Sequence, residues 1–236
     1  MRFDIMTLFP DLVDRILSES IIGRAQKNEY ITVKSHNIRD FSENKHKKVD
    51  DTPYGGGKGM LMAAPPIWNC HRAILANSAD TPNRRTIFMS PQGPVLTQKK
   101  ACELSELDQI IILCGHYEGV DQRILDMMID EEISIGDYVL TGGELPACIL
   151  VDCVARMVTG VLSDAECYEK ESHSSEGLLE FPQYTRPYNF LGSMVPDVLL
   201  SGNHAEIEKW RKTAARDVTQ KKRPDLLKRT LNQDEK

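Results

Sequence analysis

Residues 110–146 read IIILCGHYEGVDQRILDMMIDEEISIGDYVLTGGELP, and the architecture of the chain can be worked out from them. Two apolar runs, Ile110–Leu113 and Ile133–Leu140, each break into glycines. A short apolar run that ends in glycine is typical of a buried strand followed by a tight loop at its carboxyl end. Because ligands of open α/β sheets bind at that edge, the two loops predict one binding pocket.

The glycines of these loops indicate what the pocket binds. They are Gly115, Gly119, Gly136, Gly142 and Gly143. Glycine lets main-chain groups approach a ligand closely. Neither loop matches the dinucleotide fingerprint or the phosphate loop that ends in Lys-Ser/Thr, and the absence of the fingerprint after the first strand disfavours a nicotinamide oxidoreductase. The pocket therefore suits a small, mostly uncharged ring system better than a triphosphate.

Strands and helices alternate over residues 1–160, which predicts an α/β fold with a largely parallel sheet. The predicted strands are Arg2–Leu8, Tyr30–Lys34, Thr86–Ser90, Ile110–Cys114 and Glu132–Val139. The predicted helices are Asp11–Ala25, Pro65–Ala76, Gln98–Leu107 and Leu145–Val158. Residues 163–176 are polar and lack apolar periodicity, which indicates a linker. Beyond them, Asn203 with Glu206 resembles a helix capping box and Pro224 can open a last helix, so we expect a small helical C-terminal domain.

Composition sets limits on the class of protein. The chain has 236 residues, of which 41% are hydrophobic and 27% charged, so it can bury a core. Its six cysteines show no Cys-x-x-Cys pair and no zinc spacing, which favours reduced thiols in a cytoplasmic protein. We expect neither a secretory signal nor a membrane segment, because the longest apolar stretch, Ala147–Val158, contains Asp152 and Arg156.

Basic residues are clustered although the net charge is −6. Residues 204–230 carry nine Lys/Arg and four Asp/Glu, and residues 34–48 carry five Lys/Arg and two acids. Local basic faces, rather than whole-chain charge, contact phosphates. When such a cluster is taken alone, a solvated helical surface is the favoured explanation.

Seven ordered segments closely resemble the bacterial tRNA (guanine-N(1))-methyltransferases of the SPOUT superfamily. They are FDIMTLFP (3–10), DDTPYGGGKGM (50–60), MSPQG (89–93), LCGHYEGVDQR (113–123), EISIGDYVLTGGELP (132–146), GLLEFPQYTRP (177–187) and VLLSGNHAEIEKWR (198–211). The resemblance implies an α/β SPOUT methyltransferase domain with a trefoil knot over residues 1–162, a linker over 163–176 and a helical tRNA-binding domain over 177–236. Periodicity could not have indicated the knot, since knots are rare exceptions to connectivity rules.

The resemblance also implies an activity and partners. Family members are homodimers with active sites at the subunit interface. They transfer the methyl group of S-adenosyl-L-methionine to N(1) of the guanine immediately 3′ of the anticodon. The ring nitrogen must lose its proton, so a base is needed, worth roughly 10²–10⁴ in rate. A cation or donor near the neighbouring carbonyl oxygen is worth ~3–4 kcal/mol by analogy with oxyanion stabilisers.

Site residues follow from the match to the family. Cofactor binding is expected of Ser90, Pro91, Gly115, Tyr117, Glu118, Ile135, Gly136, Tyr138, Leu140, Gly142, Gly143 and Pro146. Binding of the tRNA anticodon stem-loop is expected of Tyr54, Gly55, Tyr184, Arg186, Ser201, Asn203, His204, Lys209 and Arg211. No metal ligands are predicted, although the family suggests sensitivity to magnesium. Lys58 departs from the small residue or proline that commonly follows the three glycines.

Two catalytic residues are expected. Arg156 occupies the position of the family's arginine near the target guanine, although an Asp152–Arg156 helix pair worth under about 0.5 kcal/mol is the alternative explanation. The family's catalytic aspartate falls on Ser172 by gapless alignment, or on Glu171 with a one-residue insertion. Glu171 is preferred because a carboxylate can accept the proton, and His173 is a further alternative.

Other functions stay open at this stage. The chain could methylate another tRNA nucleotide or a ribose, or it could bind RNA and the cofactor without catalysis. The long match through residues 177–187 and 198–211 argues against another target, whereas the Glu171/Ser172 ambiguity leaves the non-catalytic alternative open.

Overall fold

The computed structural model describes residues 1–78, 80–163, 171–173 and 177–231. The chain divides into two units, Met1–Ser163 and Asp164–Lys236. The linker expected at 163–176 lies largely outside the described residues.

The first unit is built on a parallel sheet of five strands in the order β2-β1-β6-β5-β7. The strands of this unit are β1 (Arg2–Thr7), β2 (Thr32–Asn37), β3 (Asp50–Asp51), β4 (Leu61–Met62), β5 (Arg84–Met89), β6 (Gln109–Cys114) and β7 (Glu131–Ile133). The short β3 and β4 pair with each other outside the main sheet. The prediction of an α/β fold with a largely parallel sheet is confirmed.

Helices cover both faces of the sheet. They are α1 (Pro10–Leu17), α2 (Ser20–Lys27), α3 (Ala64–Ala76), α4 (Gln98–Ser105), α5 (Gln122–Met128) and α6 (Glu144–Ala155). Ile110 and Ile112 of β6 face the core formed with α1, α2, α4 and α6, while Ile111 and Leu113 face the core formed with α3 and α5. Since alternate side chains of a strand point to opposite faces, a strand buried on both faces is apolar throughout, as β6 is.

The prediction of one helix over residues 11–25 is wrong. The chain turns at residues 18–19, and Ser20 has a positive φ of 55°. A Cβ atom on Gly23 would lie 1.9 Å from the carbonyl oxygen of Ser18, so glycine permits the chain to fold back closely there. The break separates α1 from α2, and each helix buries its own apolar face.

The prediction of a strand over residues 132–139 is also wrong, because β7 ends at Ile133. The hydroxyl of Ser134 donates to the carbonyl oxygen of Gly136 and accepts from its amide, and Gly136 has a φ of +150°. This turn ends the strand. Helix α5 was not predicted; it begins after Asp121, whose carboxylate accepts from the amide of Arg123. The ends of the other predicted strands and helices differ from the observed ends by at most three residues.

The second unit contains a short hairpin and two helices. They are β8 (Asn189–Phe190), β9 (Ser193–Met194), α7 (His204–Lys222) and α8 (Pro224–Leu231). The side chain of Asn203 caps α7 by accepting from the amide of Glu206, whereas the amide of Asn203 donates to Ser201 rather than to Glu206. Only half of the expected capping box is therefore present. None of the helices within the described part of the chain combines the length and apolar character needed to cross a membrane.

A buried carboxylate joins three strands of the sheet. The fully buried Asp4 of β1 accepts from Arg2 at 2.6 Å, from Nε2 of His36 on β2 at 2.7 Å and from Gln109 on β6 at 2.7 Å. Burial alone would raise the pKa of Asp4, but the hydrogen bonds from His36, Arg2 and Gln109 outweigh it and lower the pKa to about 2. The carboxylate is thus held ionised inside the sheet.

Replacement of Asp4 by asparagine (D4N) should destabilise the fold. The change leaves Arg2 and His36 without their anion, which typically costs about 3 kcal/mol when a buried pair is broken. The destabilisation is measured as the change in the free energy of unfolding, obtained by urea titration at pH 7. D108N, at an exposed aspartate, is the control and should change the free energy by less than about 0.5 kcal/mol.

The pH dependence provides a second measurement on the same pair of proteins. A carboxyl whose pKa falls from 3.8 in the unfolded chain to about 2 in the fold stabilises the protein above pH 3.8, and the stabilisation is lost as the pH falls towards 2. Over that interval the free energy of unfolding of the wild type should fall by about 2 kcal/mol, and that of D4N should not show this fall. Parallel curves for the two proteins would contradict this account of Asp4.

Candidate functional site

Three loops meet at the carboxyl edge of the sheet. They follow the adjacent strands β6, β5 and β7. The amide of Ser90 after β5 donates to Ile133 at 3.0 Å, and the amide of Leu96 donates to Ser134 at 2.8 Å. The amide of Gly143 donates to Gly115 after β6 at 2.9 Å. Main-chain hydrogen bonds therefore hold the three loops together as one structure.

The loops enclose a cleft of about 180 Å³ that is partly open to solvent. All twelve residues expected to bind the cofactor line it: Ser90, Pro91, Gly115, Tyr117, Glu118, Ile135, Gly136, Tyr138, Leu140, Gly142, Gly143 and Pro146. The structure brings them together, while their contact with a cofactor stays a prediction. Sequence analysis did not name several further lining residues, among them His116, Val139 and Thr141.

Glycine is required at the floor of the cleft. A Cβ atom on Gly143 would lie 2.8 Å from Cα of Cys114 and 2.9 Å from the amide nitrogen of Gly115. Real side chains do not tolerate such distances to backbone atoms. A Cβ on Gly142 would lie 2.5 Å from Oε2 of Glu144 and 2.7 Å from Nδ1 of His116. The pair of glycines thus allows the loop after β7 to lie directly on the end of β6.

The loops contribute chemically different residues to the lining. The loop after β7 supplies the apolar side chains of Ile135, Tyr138 and Leu140. The loop after β6 supplies the polar side chains of His116, Tyr117 and Glu118. Tyr117 has a φ of +61°, and its hydroxyl accepts from Arg39 at 3.4 Å. A ligand with an apolar ring system at one end and charged groups at the other would match this division.

A buried acid lies behind the cleft. Glu144, in the first turn of α6, is 4% exposed, and its Oε1 accepts from the hydroxyl of Thr7 at 2.8 Å. The positive end of the helix dipole favours an anion at this position. Burial, with Glu144 adding to it, raises the pKa of Cys114 well above its usual value and that of Cys148 to about 11. These two thiols are therefore protonated and do not supply a thiolate nucleophile.

The glycine-rich loop between β3 and β4 lies beside the cleft. The amide of Glu118 donates to Met60 at 3.0 Å, and the amide of Met62 donates to Gly119 at 2.9 Å. Gly59 has a φ of +85°, and a Cβ there would lie 2.3 Å from Cγ of Glu118. Tyr54 and Gly55 are at the exposed tip of this loop. These two predicted RNA-binding residues are thus on a surface loop that is hydrogen-bonded to the cleft.

Arg156 lies directly after α6, because the helix ends at Ala155 rather than at Val158 as predicted. It is half-buried and keeps helical backbone angles. Spacings of four and seven residues place Leu145, Ile149 and Arg156 on the same face of α6. Leu145 and Ile149, the two apolar residues on this face, are both exposed.

The alternatives for the catalytic base lie in the second unit. The hydroxyl of Ser172 accepts from the amide of Glu180 at 3.0 Å. His173 has a φ of +68°, and its amide donates to Leu178 at 3.0 Å. Ser172 is therefore used in fixing the local backbone, whereas the choice of Glu171 as the base stays a prediction.

The predicted RNA-binding residues of the second unit are mostly exposed. Tyr184, Arg186, Ser201, Asn203, His204 and Lys209 are at the surface. Tyr184 packs near Trp210 with ring centroids 6.3 Å apart. Arg211 differs, because its guanidinium lies 4.9 Å from the Phe181 ring and bonds to Glu208 at 2.6 Å. Its structural contacts hold the segment before α7 against that helix, and its predicted RNA contact remains untested.

Comparisons with known proteins agree on one family. The family model described as tRNA (Guanine-1)-methyltransferase TrmD matches residues 1–229. A tRNA (guanine-N(1)-)-methyltransferase of Ruminiclostridium cellulolyticum is 56% identical over 232 residues, 98% of each chain. The Clostridioides difficile protein of the same name is 50% identical over 230 residues, 98% of this chain and 99% of its own. One from Staphylococcus haemolyticus is 50% identical over 229 residues, 97% of this chain and 91% of its own.

Replacement of Gly143 by alanine (G143A) should disrupt the cleft. The added methyl group meets backbone atoms that cannot rotate away, which should destabilise the fold by about 1–3 kcal/mol and separate the loops. Binding of S-adenosylhomocysteine, the demethylated form of the expected cofactor, is measured by calorimetry and should be lost.

G192A is the matched control. Gly192 is in the hairpin of the second unit with a φ of +88°, and nothing lies within 4 Å of an added Cβ. Backbone strain should destabilise this variant by about 1 kcal/mol, but it should bind S-adenosylhomocysteine as wild type does. Normal binding by G143A would show that the close contact does not shape the cleft.

Proposed function

Because the chain belongs to the tRNA (guanine-1)-methyltransferase family, we propose that it methylates the guanine immediately 3′ of the anticodon in tRNA. Methylation of guanine N(1) in tRNA is the activity of the family, and S-adenosyl-L-methionine is the methyl donor that this activity implies. The position of the target nucleotide in the tRNA and the roles of individual residues are also part of the proposal. We assign the enzyme to the cytoplasm, where its tRNA substrate is present.

A single observation carries the cofactor assignment: twelve residues scattered over residues 90–146 line one cleft. The methyl donor supplies a sulfonium carbon that is already electrophilic. Main-chain groups near Ile135 and Gly136 bind the adenine edge, and Tyr138 and Leu140 supply apolar walls. The chain's own contribution at this step is to bind the donor in a fixed orientation and to exclude water from it.

The proton of guanine N(1) is taken by Glu171 in the proposed mechanism. A carboxylate can accept it, whereas Ser172 already accepts a hydrogen bond from the Glu180 amide. Arg156 stabilises the negative charge that develops on the neighbouring carbonyl oxygen, which is the role of a positioned cation. The two residues come from different units of the chain.

We further propose that the enzyme is a homodimer. Leu12 and Ile16 of α1 are exposed, as are Leu145 and Ile149 of α6, and the two helices pack side by side. Exposed apolar side chains on two packed helices are typical of an interface between subunits. Because Arg156 continues the row on α6, pairing through this face would bring a catalytic residue to the boundary between two copies.

The tRNA anticodon stem-loop is the proposed nucleic-acid partner. Phosphate contacts by Arg186 and Lys209 would position the RNA, while contacts to the base would specify guanine. For magnesium, the described residues contain no group of three or more His, Cys, Asp or Glu side chains that could hold an ion. The described residues therefore do not form a protein cage for the metal.

Methyl transfer to tRNA transcripts tests the activity directly. Radiolabelled methyl should enter a transcript with guanine at the target position and not one with adenine there. In E171Q the amide cannot accept the proton, so the rate should fall by roughly 10²–10⁴. Affinity for S-adenosylhomocysteine should stay the same.

H173A is the matched control for E171Q and should transfer methyl groups at the wild-type rate. If H173A loses activity while E171Q keeps it, the base has been assigned to the wrong residue. Methylation of both transcripts, or of neither, would contradict the proposed function itself.

Ile149→Glu (I149E) should separate the subunits. The change puts a charge at the centre of the apolar face, where it would be buried without a partner in a dimer. Sedimentation should show a folded monomer, and methyl transfer should be lost. M127E introduces the same charge at an exposed site on α5, on the opposite side of the sheet, and should leave a dimer. A dimeric I149E would rule out this face as the interface.

A further inference from the structure

His116 is a polar side chain without a polar partner in the cleft. Its ring lies 5.0 Å from that of Phe9 and 5.1 Å from that of Tyr117, measured between centroids. Nδ1 is buried and makes no hydrogen bond to any described residue. Aromatic contacts therefore fix the ring in place, while Nδ1 has no hydrogen-bond partner within the described part of the chain.

The charges available in the cleft make His116 distinctive. Among the described lining residues it is the only Lys, Arg or His, and Glu118 is the only Asp or Glu. Both are in the loop after β6, two residues apart. The loop after β7 offers apolar side chains and main-chain groups. A ligand carrying one positive and one negative group at the same end would find one side chain for each.

The methyl donor is such a ligand. Its adenosine end is uncharged, while its amino-acid end carries an ammonium and a carboxylate close together. Glu118 suits the ammonium. The carboxylate needs a hydrogen-bond donor, because removing an anion from water without such a partner is costly. The imidazole of His116 offers an N–H donor in both its neutral and its protonated forms.

We propose that His116 binds the carboxylate of the methionine portion of the cofactor and thereby selects ligands that carry the amino-acid tail. The proposal rests on the cofactor assigned under the proposed function. Gly142 is part of the arrangement, since a side chain there would collide with Nδ1 of His116. The glycine pair that closes the floor of the cleft thus also leaves room for the imidazole.

Two ligands that differ only in the tail test the proposal. S-adenosylhomocysteine carries the amino-acid group, and 5′-methylthioadenosine has the same thioether nucleoside without it. Calorimetry on the full-length protein gives both dissociation constants. H116F keeps an aromatic ring between Phe9 and Tyr117 but cannot donate. It should weaken S-adenosylhomocysteine by about 10- to 100-fold, as expected for a lost hydrogen bond to a charged group. Affinity for methylthioadenosine should stay the same.

L140A is the comparison variant. Leu140 is one of the apolar side chains of the loop after β7, so its truncation should weaken both ligands by the same factor. If phenylalanine does not fit at residue 116, H116A serves with the same expected outcome. Equal weakening of both ligands by the His116 variants, or no weakening of either, would overturn the proposal.

Two further results separate this proposal from the one on which it rests. An unchanged affinity for S-adenosylhomocysteine together with a raised KM for tRNA would mean that the imidazole faces an RNA phosphate instead. Failure of wild type to bind either nucleoside would reject the cofactor assignment, and the proposal for His116 with it. If the wild type binds both nucleosides and H116F changes the two affinities by the same factor, only the role of His116 is rejected.

Discussion

The close approach of Gly143 to the end of β6 is the contact on which the cleft depends. Main chain lies directly on main chain there, because a side chain would occupy the position of Cys114 and Gly115. The hydrogen bond from Gly143 to Gly115 closes the contact, and the bond between Glu144 and Thr7 ties the next residue to β1. Strand β6, buried on both faces, provides the rigid base for this arrangement.

The two units contribute different chemistry. The first contains the cleft that we propose as the binding site of the methyl donor, and it carries Arg156 at the end of α6. The second carries the candidate base and the basic helix α7. An exposed apolar face on α1 and α6 explains why the first unit would pair with a second copy. Cofactor binding is thus assigned to the first unit, and proton transfer and most of the RNA binding to the second.

The sequence pattern predicted the sheet and a pocket at its carboxyl edge, because apolar runs ending in glycine indicate strands and tight loops, whereas the individual lining residues followed from the resemblance to the family. It misplaced the end of β7 for a physical reason: Ile135, Tyr138 and Leu140 are apolar because they line a cleft, and this pattern looks like a continuing strand. The break before Ser20 depends on the contact between Gly23 and Ser18, which periodicity does not report. His116 went unnamed although it is the single imidazole within the glycine motif that was quoted. A knot leaves no trace in local pattern and follows only from the family.

A cleft whose floor is main chain has a consequence for antibacterial chemistry. An inhibitor that bonds to the amides and carbonyls around Gly115 and Gly143 uses groups that every amino acid possesses. Resistance by substitution at Gly143 would place a side chain against the backbone of β6, which damages the enzyme together with the drug site. Compounds anchored there should therefore retain potency against mutants that escape drugs relying on side-chain contacts.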